Sequence, residues 1–392
     1  MKINLLSLPG DASPAVRALG WDWAIEEACQ NYVAREAVQL PEADAEALLV
    51  AADTLYDMLV QAIPDPIPDA FLEQLAIPPV LWGPIRHSWN DERHWHLYGR
   101  FDLALTADGP KLLEFNADTA TSLPETAVVQ WASLVAAGQA NEESQANGLF
   151  ECLEDQFRHW RSLNDSLPDS LLLVYLPDSA EDEANCAVLA EAARAAGFTS
   201  IHTCPVDAMK VSVQGEDRGA WAEAAPGQWQ KFDFLFKLVP WEILAAEEPE
   251  LTADLGNLLL TRDLIIANPA YSLLFQSKAM LARLWEVFPH HPLLLEASLT
   301  NLPGHHVRKP LFGREGQNVA EIQPDGRTSA EVPGEFGRQP QLRQRWANLP
   351  TDVQGRRYQA GVFWSGEACA IGFRREAGLI TNLSEFVPHI LV

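Results

Sequence analysis

Apolar residues recur at helical spacing along the first part of the chain. Between residues 12 and 76, Ala, Leu and Val return every three or four positions, which is the spacing of one helix face. Three prolines between 64 and 68 interrupt the pattern, because proline cannot continue a helix. The pattern predicts a helical N-terminal region, and the same spacing predicts helices at 126–137 and 149–163.

Strand patterns follow in the middle and at the end of the chain. A continuous apolar run at 171–176 predicts a buried strand, a helix is predicted at 185–196, and further strands are predicted at 198–201 and 232–239. This order of strand, helix and strand predicts a small α/β lobe. Short strands are also predicted near the end of the chain, at 307–309, 361–364 and 369–373.

Two alternating runs on either side of a turn predict a β-hairpin. Polar and apolar residues alternate over 100–105 and again over 111–116, and the intervening loop at 106–110 contains Gly and Pro. If this five-residue loop closes symmetrically, Asp102 lies across from Glu114.

The polar face of this hairpin gathers charged side chains. Arg100 and Asp102 share one face, because side chains alternate along a strand. On the second strand Glu114 and Asn116 share that face, with Asn116 across from Arg100, while Leu113 takes the other face. Facing carboxylates repel unless a cation lies between them, and oxygen ligands without His or Cys suit Mg²⁺ or Mn²⁺ rather than zinc. The pattern leaves open a solvated charged face on which Arg100 neutralises one carboxylate.

Basic residues near glycines are candidate phosphate contacts. Lys309 lies in a predicted strand and precedes a loop at 311–318 that contains two glycines and Arg314. Glycine lets backbone N–H groups approach phosphate closely, although the same pattern is common in hairpin turns. Lys278 begins a predicted helix, and from its own pattern a surface lysine is the favoured interpretation.

Two adjacent arginines follow the predicted strand at 369–373. Neighbouring strand residues face opposite ways, so one of Arg374 and Arg375 can enter a cleft while the other meets solvent. The planar guanidinium suits an acyl phosphate, because it donates two hydrogen bonds to phosphate oxygens. A pair of surface arginines fits the spacing equally well.

Composition narrows the classes of function. The net charge of -26 argues against a nucleic-acid groove and fits neutral or cationic substrates, although acidity also serves solubility. The five cysteines are scattered without a CxxC pair, so we expect reduced, mostly buried thiols and neither a disulfide framework nor a zinc site. The histidines and tryptophans are expected to be structural. No apolar stretch reaches the ~18–20 residues of a membrane span, and residues 1–9 are too short for a signal peptide, so the cytoplasm is the expected location.

These motifs together resemble the glutathionylspermidine synthase family, in particular its synthetase domain and its stand-alone acid–amine ligases. The resemblance runs from about Trp82 to Val392, and its motifs are specific in combination. They are Ser88-Trp89, Tyr-Gly-Arg-Phe-Asp at 98–102, Leu-Glu-Phe-Asn-Ala-Asp-Thr-Ala-Thr-Ser at 113–122, Phe236-Lys237, Pro-Trp-Glu at 240–242, Lys278, residues 307–316 and Pro-His-Ile at 388–390.

The resemblance implies a fold and its division. It implies an α+β / α/β chain with an ATP-grasp-like fold, a small inserted α/β lobe and a helical N-terminal region. Residues 1–392 would form a single unit with three sub-lobes. These are the helical region with the metal-binding hairpin at 1–165, the small α/β lobe at 166–268, and the ATP-grasp lid with the C-terminal strands at 269–392.

The resemblance also implies roles for individual residues. Asp102, Glu114 and Asn116 match Mg²⁺ ligands, and Arg314 and Arg374 match the arginines associated with the acyl phosphate. Other positions match ATP contacts and the adenine-binding hinge: Arg100, Lys278, Lys309, Gly316, Leu342 and Gln344. Thr119 and Thr121 fall where the family has serines that hold glutathione, and Glu181 and Asp182 fall where paired glutamates contact glutathione and the polyamine.

The implied activity is that of a Mg²⁺- and ATP-dependent ligase that joins a carboxylate to an amine. The acid would be peptide-like or glutathione-like and the amine a polyamine or another amine, with no nucleic acid or membrane as partner. The oligomeric state is left open. No counterpart of the amidase domain of the two-domain enzymes is present in this sequence, so product hydrolysis is not expected. Three alternatives remain: an ATP-grasp peptide ligase with an amino acid as the amine, a phosphotransferase, and a non-catalytic nucleotide-binding protein.

Overall fold

The computed structural model describes residues 2–18, 20, 22–25, 32–141 and 143–392, apart from the side chain of Trp23. Helices and strands both contribute substantially. The helices are α1 (Ser13–Ala18), α2 (Glu42–Ala62), α3 (Asp69–Gln74), α4 (Trp82–Trp89), α5 (Gln130–Ala136), α6 (Leu149–Ser162), α7 (Ala180–Ala195), α8 (Trp241–Glu247), α9 (Pro249–Thr261), α10 (Ser272–Gln276) and α11 (Ala279–Val287). The strands are β1 (Leu5–Ser7), β2 (Glu36–Leu40), β3 (Gly99–Thr106), β4 (Gly109–Asn116), β5 (Ser170–Tyr175), β6 (Ser200–Pro205), β7 (Lys210–Ser212), β8 (Gly219–Ala225), β9 (Gln228–Phe232), β10 (Phe234–Lys237), β11 (Ile265–Ala267), β12 (Ala297–Ser298), β13 (His306–Pro310), β14 (Ala320–Ile322), β15 (Thr328–Glu331), β16 (Gln341–Arg345), β17 (Arg357–Trp364), β18 (Ala368–Glu376), β19 (Glu385–Val387) and β20 (His389–Leu391).

An antiparallel sheet in the order β19-β18-β17-β3-β4 forms the centre of the molecule. β3 buries Phe101 and Leu103, and β17 buries Tyr358 and Val362, in the same apolar core as α2. Because side chains alternate along a strand, burying these residues on one face leaves the other face for polar groups. That second face carries the candidate site.

The N-terminal region is only partly helical, and within 12–76 the helical prediction is wrong at Glu36–Leu40. α2 and α3 are helices, but Leu5–Ser7 and Glu36–Leu40 are strands. β2 pairs antiparallel with β1 and parallel with β20 from the other end of the chain. Ala, Glu and Leu favour helices locally, and the distant partner strand overrides that preference. Residues 19, 21 and 26–31 of this segment lie outside the described residues.

A second sheet, β11-β10-β5-β6, is entirely parallel, as expected of an α/β lobe. Leu171 and Leu173 of β5 pack in one apolar core with α6 and α7, while Leu172 and Val174 pack in the main core. Burial on both faces explains why this strand reads as a continuous apolar run. The predicted strands at 171–176, 198–201 and 232–239 correspond to β5, β6 and β10, and the predicted helix at 185–196 begins earlier, as α7.

A third sheet, β12-β16-β13-β14-β15, is antiparallel and lies against the β3–β4 hairpin. Gln344 of β16 donates to the Leu112 carbonyl at 2.9 Å, and Lys309 of β13 donates to the Leu113 carbonyl at 3.1 Å. β13, β17 and β18 confirm the strands predicted near the end of the chain. None of the helices among the described residues is both long and apolar enough to cross a membrane.

Candidate functional site

A cleft of about 440 Å³ opens where the three sheets meet. Its walls come from the β3–β4 hairpin, the start of α7, the segment before α8, the loop after β13 and the ends of β16, β17 and β18. Nearly all of the predicted site residues line it: Arg100, Asp102, Glu114, Asn116, Thr119, Thr121, Glu181, Asp182, Lys278, Lys309, Arg314, Gly316, Gln344 and Arg374.

The hairpin pairs Asp102 with Glu114 and Arg100 with Asn116, which confirms the predicted register. The predicted five-residue loop is wrong, because the strands pair up to a turn of only two residues, 107 and 108. With so short a turn and a regular ladder, the register would differ by one residue.

A one-residue bulge in β4 restores the predicted pairing. Leu103 faces Leu112, and the next pair is Asp102 with Glu114. Leu113 is therefore the extra residue of the bulge. It lines the cleft together with Glu114, so the prediction that Leu113 takes the opposite face is wrong.

Asp102 is held by two neighbours on the polar face of the hairpin. Arg100 donates from Nε to Asp102 Oδ1 at 2.7 Å and from Nη2 to Oδ2 at 3.2 Å, and Asn116 Nδ2 donates to Oδ2 at 3.2 Å. Arg100 also donates to the Thr121 carbonyl at 2.8 Å. Arg100 does neutralise one carboxylate, as the alternative interpretation held, but the face is not solvated because Asp102 is only 3 % exposed.

Two lysines face Glu114 from other elements. Lys278 Nζ lies 3.3 Å from Glu114 Oε2, and Lys309 Nζ donates to Gln344 Oε1 at 2.9 Å. Burial tends to raise the pKa of Glu114, but the charges of Lys278 and Lys309 outweigh it and hold the pKa at about 2. Burial lowers the pKa of Lys309 to about 8, although the charge of Glu114 opposes the shift. This end of the cleft thus combines an ionised carboxylate with two closely spaced cations.

Arg314 reaches from the loop after β13 to two partners across the cleft. Its Nη2 and Nε lie 2.7 and 3.2 Å from Glu242 Oε1, and its Nη1 donates to Thr119 Oγ1 at 2.9 Å. The same loop is held a second time, because Lys278 Nζ donates to the Gly313 carbonyl at 2.7 Å. The loop therefore lies over the cleft with two polar attachments.

Arg374 enters the cleft from β18, as one of the two adjacent arginines was predicted to do. Its Nη2 donates to Ser122 Oγ at 2.7 Å and to the Tyr32 hydroxyl at 2.9 Å, and lies 3.8 Å from Glu125 Oε1. Arg375 does not meet solvent as predicted, because it is 5 % exposed and forms ion pairs with carboxylates from two other strands.

Glu125 and Glu181 lie near Arg374, and Asp182 lies near Arg314. Glu181 and Asp182 are in the first turn of α7, where Ser179 caps the helix by accepting from the Asp182 N–H. Burial raises the pKa of Glu181 to about 7 and that of Asp182 to about 6. Burial also raises the pKa of Glu125, against the charge of Arg374. This end of the cleft is short of positive charge, which a cationic ligand could supply.

Two acids that contact the arginines of the cleft, Glu125 and Glu242, are not predicted by the sequence pattern. Glu125 is fully buried and accepts a hydrogen bond from Tyr32 at 2.7 Å, but it lies in an apolar stretch whose pattern predicts an ordinary helix. Glu242 belongs to a recognised motif, Pro-Trp-Glu, yet nothing in its spacing indicates a partner 72 residues away. Sequence patterns report on neighbouring residues, whereas these contacts join residues that are far apart along the chain.

Gln344 lines the cleft, but Leu342 does not. Its side chain is fully buried in the main core, and the residue pairs with Lys309 across β13 and β16. Apolar and aromatic residues near Gln344 line the same end of the cleft: Val307, Val319, Phe336, Trp346 and Leu349.

A separate group of His87, Asp91 and His94 has ligand atoms within 4.8 Å of one another. Both ring nitrogens of His94 are already engaged, one with the Ile266 N–H at 3.1 Å and one with the Leu259 carbonyl at 3.2 Å. Burial lowers the pKa of His94 to about 4, in keeping with a neutral ring that joins these two backbone groups. The geometry favours the predicted structural role for His94.

Comparison with known proteins identifies the relatives of this chain. The family profile described as glutathionylspermidine synthase preATP-grasp matches residues 6–392. A Haemophilus influenzae protein whose name assigns it to the acid–amine ligases is 32% identical over 323 residues, covering 79% of this chain and 77% of that protein. The bifunctional glutathionylspermidine synthetase/amidase of Escherichia coli is 26% identical over 377 residues, covering 90% of this chain but 59% of the longer protein.

Two further proteins, one similar in sequence and one in fold, resemble this chain. Trypanothione synthetase of Crithidia fasciculata is 26% identical over 349 residues, covering 84% of this chain and 52% of that protein. Among solved structures, a glutathione synthetase-like effector from Globodera pallida in the apo form matches 99% of this chain and 100% of its own, with a TM-score of 0.50 and 12% identity, a likeness of fold alone. Because the family profile spans almost the whole described chain, this protein belongs to the glutathionylspermidine synthase family.

Proposed function

We propose that this protein is an ATP-dependent ligase with an ATP-grasp-like fold, which activates a carboxylate as an acyl phosphate and joins it to an amine. The observation that carries the proposal is the division of one cleft into two chemically different ends. One end combines carboxylates with lysines, as phosphate and metal binding requires, and the other combines arginines with buried acids. The relatives are named as ligases that form C–N bonds, which supports the same reaction class here.

The donor set of the hairpin fits Mg²⁺. Asp102 and Glu114 face each other across the strands, Asn116 adds an amide oxygen, and Glu114 remains 27 % exposed to the cleft. Oxygen donors of this kind suit Mg²⁺, which completes its shell with water and phosphate oxygens. When bound, the ion would neutralise phosphate charge. Asp102, Glu114 and Asn116 are the proposed ligands.

The nucleotide would lie along the same end of the cleft. Lys278, Lys309 and Arg100 would hold its phosphates, and phosphate binding would favour the charged form of Lys309, whose pKa is only about 8. The apolar wall beside Gln344 would accept the adenine. Leu342 could contribute main-chain atoms alone, because its side chain lies in the core. Gly316 has a φ of +73°, and its Cβ position would lie 2.5 Å from the Ile380 carbonyl, so a side chain there would disturb the loop.

The residues at the other end of the cleft would take part in the chemical steps. The substrate carboxylate attacks the γ-phosphorus of ATP and ADP leaves, which forms the acyl phosphate. The amine nitrogen then attacks the acyl carbon, phosphate leaves with the C–O bonding pair, and the nitrogen loses a proton. Arg374 would stabilise the oxyanion of this second step, and Arg314 would hold the acyl phosphate.

The substrates are assigned by class. Thr119 and Thr121 would hold a peptide-like or glutathione-like acid, and Glu181 or Asp182 would bind the cationic amine or polyamine. Both acids have raised pKa values because they are buried, and an ammonium group would restore their ionised forms. The loop at 311–318, held by Arg314 and Lys278, would keep water from the acyl phosphate.

Replacing Glu114 by Ala is expected to abolish substrate-stimulated ADP release, because it removes a metal ligand and the counter-charge of Lys278. The measurement is ADP release with ATP, Mg²⁺ and a panel of acids and amines, followed by mass analysis of the products. Glu73→Ala, on the exposed side of α3, is the matched control and should keep the parent rate. An amide product supports the ligase, a phosphorylated end product would indicate a phosphotransferase, and an unchanged rate in Glu114→Ala would remove Glu114 from the metal site.

A further inference from the structure

Two cysteines that are far apart in the sequence meet at the contact between α6 and β18. The Cys152 and Cys369 side chains contact each other, and the Cys369 thiol donates to the Phe363 carbonyl at 3.5 Å. The backbone brings the two residues together, because the Gly148 N–H donates to the Cys369 carbonyl at 2.7 Å and the Cys152 N–H donates to the Gly148 carbonyl at 3.0 Å. Cys152 therefore lies one helical turn beyond the residue that is bonded to Cys369.

The two thiols differ in their chemistry. The contact with Cys369 lowers the pKa of Cys152, although burial and nearby carboxylates oppose the shift, and the contact with Cys152 together with burial raises the pKa of Cys369 well above its usual range. Both residues are partly exposed, so a small oxidant can reach them. Cys152 Sγ also lies 3.8 Å from Glu367 Oε1. Cys152 is the more nucleophilic thiol of the pair, and Cys369 lies beside it.

The other described cysteines provide a contrast. Cys186 and Cys204 are buried in the α/β lobe, and burial raises the pKa of both thiols, to about 11 for Cys204. Buried neutral thiols of this kind react slowly with oxidants. Cys29 lies outside the described residues.

We propose that Cys152 and Cys369 are a reversible oxidation site, in which a hydroperoxide oxidises Cys152 and Cys369 then closes a disulfide. In the first step, with hydrogen peroxide as the oxidant, the Cys152 sulfur attacks one oxygen, the O–O bond breaks, the other oxygen takes up a proton and leaves as water, and Cys152 becomes a sulfenic acid. In the second step the Cys369 sulfur attacks the Cys152 sulfur and the sulfenic oxygen leaves as water. In total two thiols lose two electrons and two protons, and one hydrogen peroxide becomes two waters.

This site is independent of the reaction proposed for the cleft, although the two share a strand. β18 carries Cys369 near its start and Arg374 five residues later. The disulfide would join α6 covalently to the strand that positions Arg374. The sequence predicts scattered, reduced thiols, because neither the spacing of the cysteines nor their neighbours indicates that Cys152 and Cys369 meet.

The test uses the full-length reduced protein. It is treated with hydrogen peroxide, quenched with catalase, denatured, alkylated with N-ethylmaleimide and digested for mass spectrometry. We expect one disulfide-linked peptide joining Cys152 to Cys369, lighter than the sum of the two reduced peptides by two hydrogens, and its loss after dithiothreitol. Cys186 and Cys204 should be recovered alkylated.

Variants separate the roles of the two thiols. In Cys369→Ser, Cys152 should remain as a sulfenic acid that dimedone traps, and in the matched control Cys204→Ser the linked peptide should form as in the parent. Three results would overturn the proposal: recovery of Cys152 and Cys369 as alkylated thiols, a link from either residue to Cys29, or sulfinic acid at Cys152 of the parent without any linked peptide. The parent protein alone decides these outcomes, so a variant that fails to fold does not leave the question open.

Discussion

At the scale of single residues, the site depends on charges that are buried together. Glu114 stays ionised despite burial, because Lys278 and Lys309 face it and hold its pKa at about 2. A pair of this kind contributes little net stability over apolar residues, but removing one partner leaves an uncompensated charge. The pairing therefore has consequences that can be measured on the folded protein without any substrate.

Replacing Lys278 by Met is expected to lower the free energy of unfolding by roughly 3 kcal/mol, because Glu114 loses its nearest cation. Urea unfolding at neutral pH measures the change. The double variant Lys278→Met/Glu114→Gln should recover most of the loss, since neither charge then remains. Equal stabilities of the single and the double variant would show that the two side chains do not interact.

The same pair makes stability depend on pH. The folded pKa of Glu114, about 2, lies below its ordinary value of 4.5, so this group adds stability above pH 4.5 that is lost as the pH falls toward 2. Removing Lys278 lets the folded pKa rise, which reduces this contribution. The difference in stability between the parent and Lys278→Met should therefore shrink as the pH falls through this window.

Glu181 has the opposite shift, and it predicts how binding of a cationic amine depends on pH. Its folded pKa of about 7 lies above its ordinary value of 4.5, so ionising it disfavours the unliganded fold increasingly from pH 4.5 to 7. A cationic amine relieves that cost, so the KM for the amine should fall as the pH rises from 6 to 7.5, by up to about tenfold per unit below the pKa.

Variants of α7 isolate this effect. Glu181→Gln should flatten the dependence of KM on pH, whereas Glu183→Gln, the exposed residue two positions later on the same helix turn, should keep it. Asp182, with a pKa of about 6, adds a smaller change at lower pH. A pH profile of KM that is the same in Glu181→Gln and the parent would contradict the amine-binding role.

At the scale of elements, the loop after β13 depends on its attachment to α8. Glu242→Gln should weaken the hold on Arg314, because it replaces charge-assisted hydrogen bonds by neutral ones. Hydrogen bonds to a charged group contribute about 1.5–3 kcal/mol, so we expect kcat/KM to fall roughly ten- to hundredfold in this variant. Limited proteolysis should also cut the loop at 311–318 faster.

Glu247→Gln is the matched control for this loop, since Glu247 is exposed at the other end of α8. It should change neither kcat/KM nor the rate of cleavage. If Glu242→Gln behaves like Glu247→Gln in both measurements, the contact between Glu242 and Arg314 does not position the loop.

Elements with strong local patterns could be predicted, and elements defined by distant partners could not. The run at 171–176 is a strand because both of its faces are buried, and its apolar sequence shows this directly. β2 reads as helix because Ala37 and Leu40 favour helices, yet it pairs with the last strand of the chain. In the hairpin the predicted pairing of Asp102 with Glu114 is correct although the predicted turn is not, because the bulge compensates for the shorter turn.

At the scale of the whole molecule, the site assembles from segments that are separated along the chain. The pattern of the hairpin alone predicted its facing carboxylates, but the meeting of Lys278, Lys309 and Arg374 in one cleft followed only from the resemblance. Glu125 could not be found either way, because a single acid in an apolar stretch has no recognisable signal. The sub-lobe boundaries at 165 and 268 stay predictions.

The most direct test of the account follows the oxygen atoms of the acid. A substrate acid found in the ADP-release panel is prepared with oxygen-18 in its carboxylate and incubated with the protein, ATP, Mg²⁺ and the amine. Activation as an acyl phosphate predicts that each amide formed transfers one oxygen-18 atom to inorganic phosphate, because the bridging oxygen leaves with the phosphoryl group. Unlabelled phosphate alongside labelled amide would contradict the account.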